Sequence, residues 1–200
     1  IFDSEGNIQS AEGQATLIDV RGMWYNPKTK EIGGNGFKEF GWYKYELNKN
    51  GMPEKIDIFK QGRYQPDDHS AGVLNTEDNE VLFLDGLNIV CYTTDGKSKN
   101  KNIQLKIGQR SANDENITGD SFEKNYNTRS LIYTESKGSE IGLLNVTQKQ
   151  VELYDIKTGF ITQIIKLPVE FTVETFFNFS YSNGIYWVFD KESRNWFGYK

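Results

Sequence analysis

Short apolar runs alternate with polar turns along the whole chain, and no stretch repeats its apolar positions at helical spacing. The pattern is clearest in Val151-Glu152-Leu153-Tyr154-Asp155-Ile156, then Lys157-Thr158-Gly159, then Phe160-Ile161-Thr162-Gln163-Ile164-Ile165. That is a strand, a glycine turn and a second strand. Turns of this kind stand at Gly6, Gly51, Gly96 and Gly159, the first three 45 residues apart. A strand-built repeat of about 40–45 residues predicts the blades of a β-propeller.

Each unit reads as four strands, a to d. Strand a falls at 22–26, 71–75 and 130–134, and a polar turn follows each. Strand b opens with Glu31-Ile32, Glu80-Val81 and Glu140-Ile141, and strand c carries Tyr45, Tyr92 and Tyr154. Strand d closes the unit at 55–59, 102–107 and 160–167. The glutamates are expected to face solvent at the strand start, and the tyrosines to pack between blades with the hydroxyl at a polar edge.

The last unit has its turn at Asn183-Gly184, strand b at 185–190 and strand c at 195–199, with Tyr199 in the tyrosine slot, but no strand d. The opening Ile1-Phe2-Asp3-Ser4-Glu5-Gly6-Asn7-Ile8-Gln9 reads as the end of a strand c, its turn and a strand d. The expectation is therefore one all-β domain over 1–200, a propeller of about four blades of four antiparallel strands. The blades would lie near 15–60, 70–108, 129–168, and 171–200 plus 1–10. The N-terminal strand would complete the last blade and leave no free sheet edge. A fragment of a larger propeller, of about five to eight blades, is the alternative.

The spacing lengthens once, between Gly96 and Gly159. The excess maps to 109–128, between a strand d and the next strand a. It includes Ser111-Ala112-Asn113-Asp114-Glu115-Asn116-Ile117-Thr118-Gly119-Asp120, a loop composition. Connections this long are usually mobile or contact-making.

The phrases Val20-Arg21-Gly22-Met23-Trp24-Tyr25-Asn26-Pro27-Lys28-Thr29-Lys30-Glu31-Ile32 and Val151-Glu152-Leu153-Tyr154-Asp155-Ile156-Lys157-Thr158-Gly159 resemble repeats of the NHL and YVTN-type β-propellers. Those repeats similarly set an Asp and a Thr-Gly or Asp-Gly turn between their outer strands. The likeness covers nearly the whole chain and concerns packing rather than an active site; a repeated Trp-Asp signature is lacking. It implies ligand or partner binding on one face of the disc, and only sometimes catalysis.

Composition narrows the function further. Aromatics make up 14% of the chain and mean hydropathy is −0.65, as expected for short strands with one wet face each. The net charge of −5 argues against a nucleic-acid partner, since the longest basic cluster, 97–101, reads as a polar hairpin turn. No apolar run approaches the ~20 residues of a membrane-spanning helix. Cys91 is the single cysteine, so an intrachain disulfide and a thiolate zinc site are both ruled out. The chain begins at Ile1, which fits a removed secretion signal or a truncated chain equally. Asn116, Asn145 and Asn178 match the glycosylation acceptor pattern, which matters only in a eukaryotic secretory protein. The Asn-, Lys- and Tyr-rich texture favours an extracellular, periplasmic or cell-surface setting.

Candidate chemistry is thin. Asp67-Asp68-His69 holds the only histidine, on a d-to-a loop, but three consecutive residues seldom converge on one ion. Asp114, Glu115, Asp120 and Glu123 could offer calcium its oxygen ligands, although their spacing does not fit the twelve-residue calcium loop. No other cofactor is expected. Topology is more informative, because d-to-a and b-to-c loops emerge on the same side of a propeller. That face would gather Arg21, Phe37, Phe40, Trp42, Asp67, Asp68, His69, the 109–128 insertion and Arg129. Arginine with aromatics is the mixture enriched at binding hot spots. The leading expectation is a non-catalytic binding or assembly module with a protein or glycan partner. The rival is a propeller hydrolase or lactonase with a metal in the central channel.

Overall fold

A computed structural model describes residues 20–37, 41–50, 53–60, 64–115, 117–168, 172 and 179–200. The protein is an all-β four-bladed β-propeller. The first blade is β1 (Val20–Asn26), β2 (Glu31–Gly36), β3 (Trp42–Leu47) and β4 (Pro53–Lys60). The second is β5 (Val73–Asn75), β6 (Glu80–Asp85), β7 (Asn88–Thr93) and β8 (Ser98–Gln104). The third is β9 (Ile132–Tyr133), β10 (Ile141–Asn145), β11 (Gln150–Tyr154) and β12 (Ile161–Lys166). The fourth comprises β13 (Phe179–Ser182), β14 (Ile185–Asp190) and β15 (Asn195–Tyr199) among the described residues. Strands within each blade pair antiparallel in chain order. Residues 1–10, expected to complete the last blade, lie outside the described residues.

The innermost strands β1, β5, β9 and β13 are neighbours in that order. The second and third blades start in the same sense, as the parallel bridge between Ala71 and Ser130 shows, and β1 runs alongside β5 with Gly22 beside Gly72 and Asn26 beside the β5–β6 turn. Between blades the sheets stack face to face. Trp24 and Trp42 of the first blade meet Leu74, Val81 and Phe83 of the second. Leu82, Leu84 and Ile89 on the other face of that second blade meet Leu131, Ile141 and Leu143 of the third. Ile132, Leu144 and Leu153 then meet Phe179 and Val188 of the fourth. The central strands β6, β10 and β11 are thus buried on both faces, where one wet face each was expected. The continuous runs Val81-Leu82-Phe83-Leu84 and Ile141-Gly142-Leu143-Leu144 are the sequence trace of that double burial.

Gly96 and Gly159 sit at φ +76° in their c-to-d turns, a region glycine enters without strain. Gly159 is also pressed against the second blade: its carbonyl accepts from the Lys106 N–H at 2.8 Å.

Two of the three glutamates that open strand b do not point to solvent as expected, while the Glu31 side chain stays 44% exposed. Glu80 is 3% exposed and is bridged by Lys99 and Lys101 from β8. Those lysines belong to the outer strand, which begins at Ser98, so the 97–101 cluster is mostly strand rather than turn. Glu140 is buried and accepts the backbone N–H groups of Gly138 and Ile156, stitching an a-to-b turn to a c-to-d turn. Glu31 pairs with Lys44 on the adjacent strand β3 at 3.1 Å. The repeated glutamate therefore ties strands within a blade. Tyr92 packs between blades as expected, 5.6 Å from Trp42 between ring centroids.

The 109–128 insertion is not all loop. It holds α1 (Gly119–Asn125), capped by Thr118, whose side chain accepts from the Ser121 N–H. Phe122 and Tyr126, one helical turn apart, are buried in the core between the second and third blades. Two anchors in eight residues, Gly119 to Tyr126, are too few to register as a helical period.

Candidate functional site

The d-to-a loops and the b-to-c turns share one face of the disc, and several residues expected there meet in a chain of contacts. The Arg21 guanidinium lies 4.7 Å from the Phe37 ring centroid. Phe37 meets His69 edge to face at 4.9 Å. His69 Nδ1 stands 3.6 Å from Asp67 Oδ1, and Arg129 Nη1 reaches the same oxygen at 3.1 Å. These residues come from the first blade and from the loops entering the second and third. All are partly exposed.

Local geometry explains why they sit so. Asp67 builds a turn: its carboxylate accepts the His69 N–H at 2.9 Å, and its own N–H donates to Ser70 Oγ at 3.1 Å. The Ala71 N–H donates to the Arg129 carbonyl at 2.9 Å, which fixes Arg129 against the second blade. Below, fully buried Asn35 donates from Nδ2 to the Ser70 carbonyl at 2.8 Å and accepts the Gly72 N–H at 3.0 Å. The first two inner strands approach so closely here that a Cβ on Gly22 would fall 2.4 Å from Gly72 N. Asp68 lies in the same turn.

Two of the expected site residues do not join. Trp42 is 0% exposed and packs edge to face on Trp24 at 5.7 Å, with Phe83 at 5.5 Å. It starts β3 on the inward face of the sheet, so it belongs to the core between blades and presents no surface to a partner. Phe40 lies outside the described residues.

Beside Arg129 a groove of about 270 Å³ runs along the face. Leu84 and Leu87 of the second blade, Phe122 of α1, Pro66, and the Asp67–Arg129 pair line it. Asp85 and Glu123 stand exposed at its border. The sequence reading missed the β6–β7 turn and α1 as walls of this groove. The one signal available was Phe122 and Tyr126 spaced four apart behind a Thr cap.

What holds α1 down is a buried carboxylate. Glu152 is 2% exposed and accepts four hydrogen bonds. Tyr126 Oη donates at 2.9 Å and Tyr154 Oη at 2.6 Å, both to Oε2. Asn145 Nδ2 donates at 3.0 Å and Gln150 Nε2 at 2.6 Å, both to Oε1. Burial, then the charge of Glu152, pushes both tyrosine hydroxyls well above their usual pKa.

Among the described residues no three His, Cys, Asp or Glu side chains gather where they could hold a metal ion. In the insertion, Asp114 is committed to its own turn. It accepts the N–H groups of Arg110 at 2.6 Å and Ser111 at 2.8 Å, which lowers its carboxyl below the usual value. Cys91 is buried, and burial first, then the nearby Glu80 charge, pushes its thiol up to about 11. No helix among the described residues is long and apolar enough to cross a membrane.

The four inner strands surround a cavity of about 840 Å³, the central channel. Its charged lining among the described residues is Arg21 near the loop-face mouth and Glu135 at the other end, where Glu135 accepts from Thr76 Oγ1 at 2.6 Å.

No family model matches the chain. No curated protein matches it either. Solved structures similar to it include Myxococcus xanthus glutaminyl cyclase, at 12% identity and a TM-score of 0.56, over 93% of this chain and 74% of that one. A structural-genomics protein of unknown function from Bacteroides thetaiotaomicron VPI-5482 matches at 11% identity and a TM-score of 0.49, over 88% of this chain and 46% of that one. U3-55K matches at 8% identity and a TM-score of 0.42, over 93% of this chain and 53% of that one. The first likeness is one of fold alone, and the other two carry no argument. The chain spans about three quarters of the first protein's length and about half of the other two.

Proposed function

We propose that this propeller is a non-catalytic binding module that docks a protein partner on its loop face, as a surface or periplasmic assembly component of the NHL/YVTN-like kind. One observation carries the reading. Loops from three blades converge on a partly exposed Arg21–Phe37–His69–Asp67–Arg129 chain beside a groove of about 270 Å³. That volume falls below the ~300–1,000 Å³ of sites that enclose a small ligand. It suits one projecting side chain of a larger partner, with the guanidinium groups and Phe37 supplying the surrounding contact.

The metal-hydrolase rival needs Asp, Glu or His converging on the inner strands. Among the described residues lining the channel, Glu135 is the sole member of that set, and it is already held by Thr76. Asp67 likewise has its Oδ1 occupied by Arg129 and the His69 N–H. The fold shared with a glutaminyl cyclase transfers no catalytic group at 12% identity.

The test is capture of the native-source partner on the immobilised chain, its identification by mass, and titration of the purified pair. Arg21→Ala with Arg129→Ala is expected to weaken binding by about 30-fold or more, at unchanged circular dichroism. Equal affinity for the folded double variant overturns the proposal.

A further inference from the structure

We infer that the central channel is a second binding site, and that its ligand is a neutral oligosaccharide. The cavity measures about 840 Å³, inside the ~300–1,000 Å³ range of sites that enclose an organic ligand. Its walls carry a particular mixture. Tyr25 is 53% exposed and Trp196 51% exposed, and both line the channel together with half-buried Tyr133 and Tyr181. Tyr25 stands on inner strand β1, while Trp196 stands on β15 with Phe189 5.5 Å from it between ring centroids, and aromatics left this open beside a cavity offer flat apolar faces to a ligand.

Between the rings the polar groups are neutral. Ser180, Ser182 and Asn183 of the fourth blade line the cavity, as does Ser130 of the third. Ser130 is the more telling, because the residue is 4% exposed and its Oγ has no hydrogen-bond partner among the described residues. A buried hydroxyl without a partner is uncommon and costly, and a ligand hydroxyl would satisfy it. The inner strands of the first three blades run the same way, so Arg21 and Glu135 stand at opposite mouths and leave the described middle uncharged.

This combination selects among ligand classes. A nucleotide or other phosphate needs clustered cations, which the described walls lack. A lipid chain would leave the serine and asparagine groups unsatisfied. A sugar ring has an apolar C–H face to lie on tyrosine or tryptophan, and a rim of hydroxyls that both donate to and accept from Ser and Asn. The site uses neither the groove nor the Asp67–Arg129 pair, so it stands or falls separately from the protein-docking face.

The experiment is calorimetric titration of the full chain with four probes: chitotetraose, cellotetraose, maltotetraose and mannotetraose. Acrylamide quenching of tryptophan fluorescence is measured in parallel. At least one probe is expected to bind saturably at up to about 1 mM and to shield Trp196 from acrylamide. Tyr25→Ala and Trp196→Ala should each weaken that binding by roughly tenfold, and Ser130→Ala by about threefold. Arg129→Ala should leave it unchanged. The two aromatic variants replace exposed side chains, and circular dichroism checks that they fold. Three results overturn the inference: no binding of any probe, binding unaffected by both aromatic variants, or a dimer in light scattering that buries Trp196 as a contact between copies.

Discussion

Replacing Tyr126 with Phe removes one hydroxyl and leaves the ring, which is 1% exposed and packed 5.2 Å from Phe122. The core between the second and third blades is therefore unchanged in volume, and the loss is one hydrogen bond to the buried Glu152 carboxylate. Oε2 keeps the Tyr154 hydroxyl at 2.6 Å, so no acceptor is orphaned. A charge-assisted bond of this kind contributes about 2 kcal/mol. In a domain of this size that lowers Tm by about 4–8 °C. Glu152→Gln is a harsher change. It replaces the charged acceptor shared by the Tyr126 and Tyr154 hydroxyls with an NH2 group, so both buried hydroxyls must turn elsewhere to donate, and it should cost about 3–5 kcal/mol.

The two variants should differ in kind as well as size. Tyr126 is the residue that follows α1, and Phe122 on α1 walls the groove on the loop face. Tyr126→Phe is expected to speed hydrogen exchange of the α1 amides well beyond the global change, and to weaken partner docking while the inner strands stay protected. Glu152→Gln should loosen α1 and β11 together, because the Tyr126 and Tyr154 hydroxyls both lose their acceptor. Urea unfolding followed by tryptophan fluorescence, with amide exchange on the same samples, measures both. A Tyr126→Phe protein within about 0.5 kcal/mol of the parent, with α1 exchange unchanged, would refute the claim that this network anchors the insertion.

Other outcomes follow from single groups. Burial alone would raise the Glu80 carboxyl, but hydrogen bonds and charge from Lys99 and Lys101 outweigh it and hold the group below its ordinary 4.5. Its contribution to stability is thus complete above that ordinary value and is lost as pH falls through the lower folded value. Urea stability measured from about pH 6 to pH 2 should decline less steeply in Glu80→Gln, and parallel curves would contradict this. Cys91, with its thiol pushed up to about 11 inside the core, should resist a disulfide reagent near pH 8 until the chain unfolds; fast labelling of native protein would show the site is open. Gly159→Ala puts a side chain at φ +76° and a Cβ 2.3 Å from the Gln104 carbonyl oxygen, so thermal melts should show a loss of about 2–3 kcal/mol. A melt equal to the parent's would mean that turn moves freely against the second blade.

The blades were legible because their turns are chemically marked. Asn26 and Asn75 each cap an a-to-b turn by accepting two N–H groups, and Lys30 and Asn79 each close one at positive φ. Such chemistry repeats with the chain and so shows as a period. Burial did not show in the same way. Glu80 looked like a surface residue because nothing near it in sequence neutralises it, and its lysines lie 19 and 21 positions away on the outer strand. Trp42 looked available on a loop face because topology places its backbone there, while its side chain turns into the seam between blades. The loop-face cluster was anticipated as a set of residues on one side of the disc. Its pairings were not, since Phe37 meeting His69 and Arg129 reaching Asp67 depend on how far successive blades rotate. The groove was missed because two of its walls, the β6–β7 turn and α1, carry no binding signature of their own.

That dependence on rotation also bears on what each face can do. Asn35 binds the Ser70 carbonyl and the Gly72 N–H, and the Arg129 carbonyl binds the Ala71 N–H, so the loops are positioned by bonds between blades as well as by their own turns. A change that shifts one blade against the next would misplace Arg21, Asp67 and Arg129 together, even with every blade intact. The aromatic walls of the channel are set differently: Tyr25 lies on β1 and Trp196 on β15, and neither side chain makes one of these bonds between blades. Arg21 alone belongs to both, since it lines the channel mouth and stacks on Phe37. Loss of Asn35 should therefore disable the docking face first and spare the channel, because it removes the strap without altering the aromatic walls.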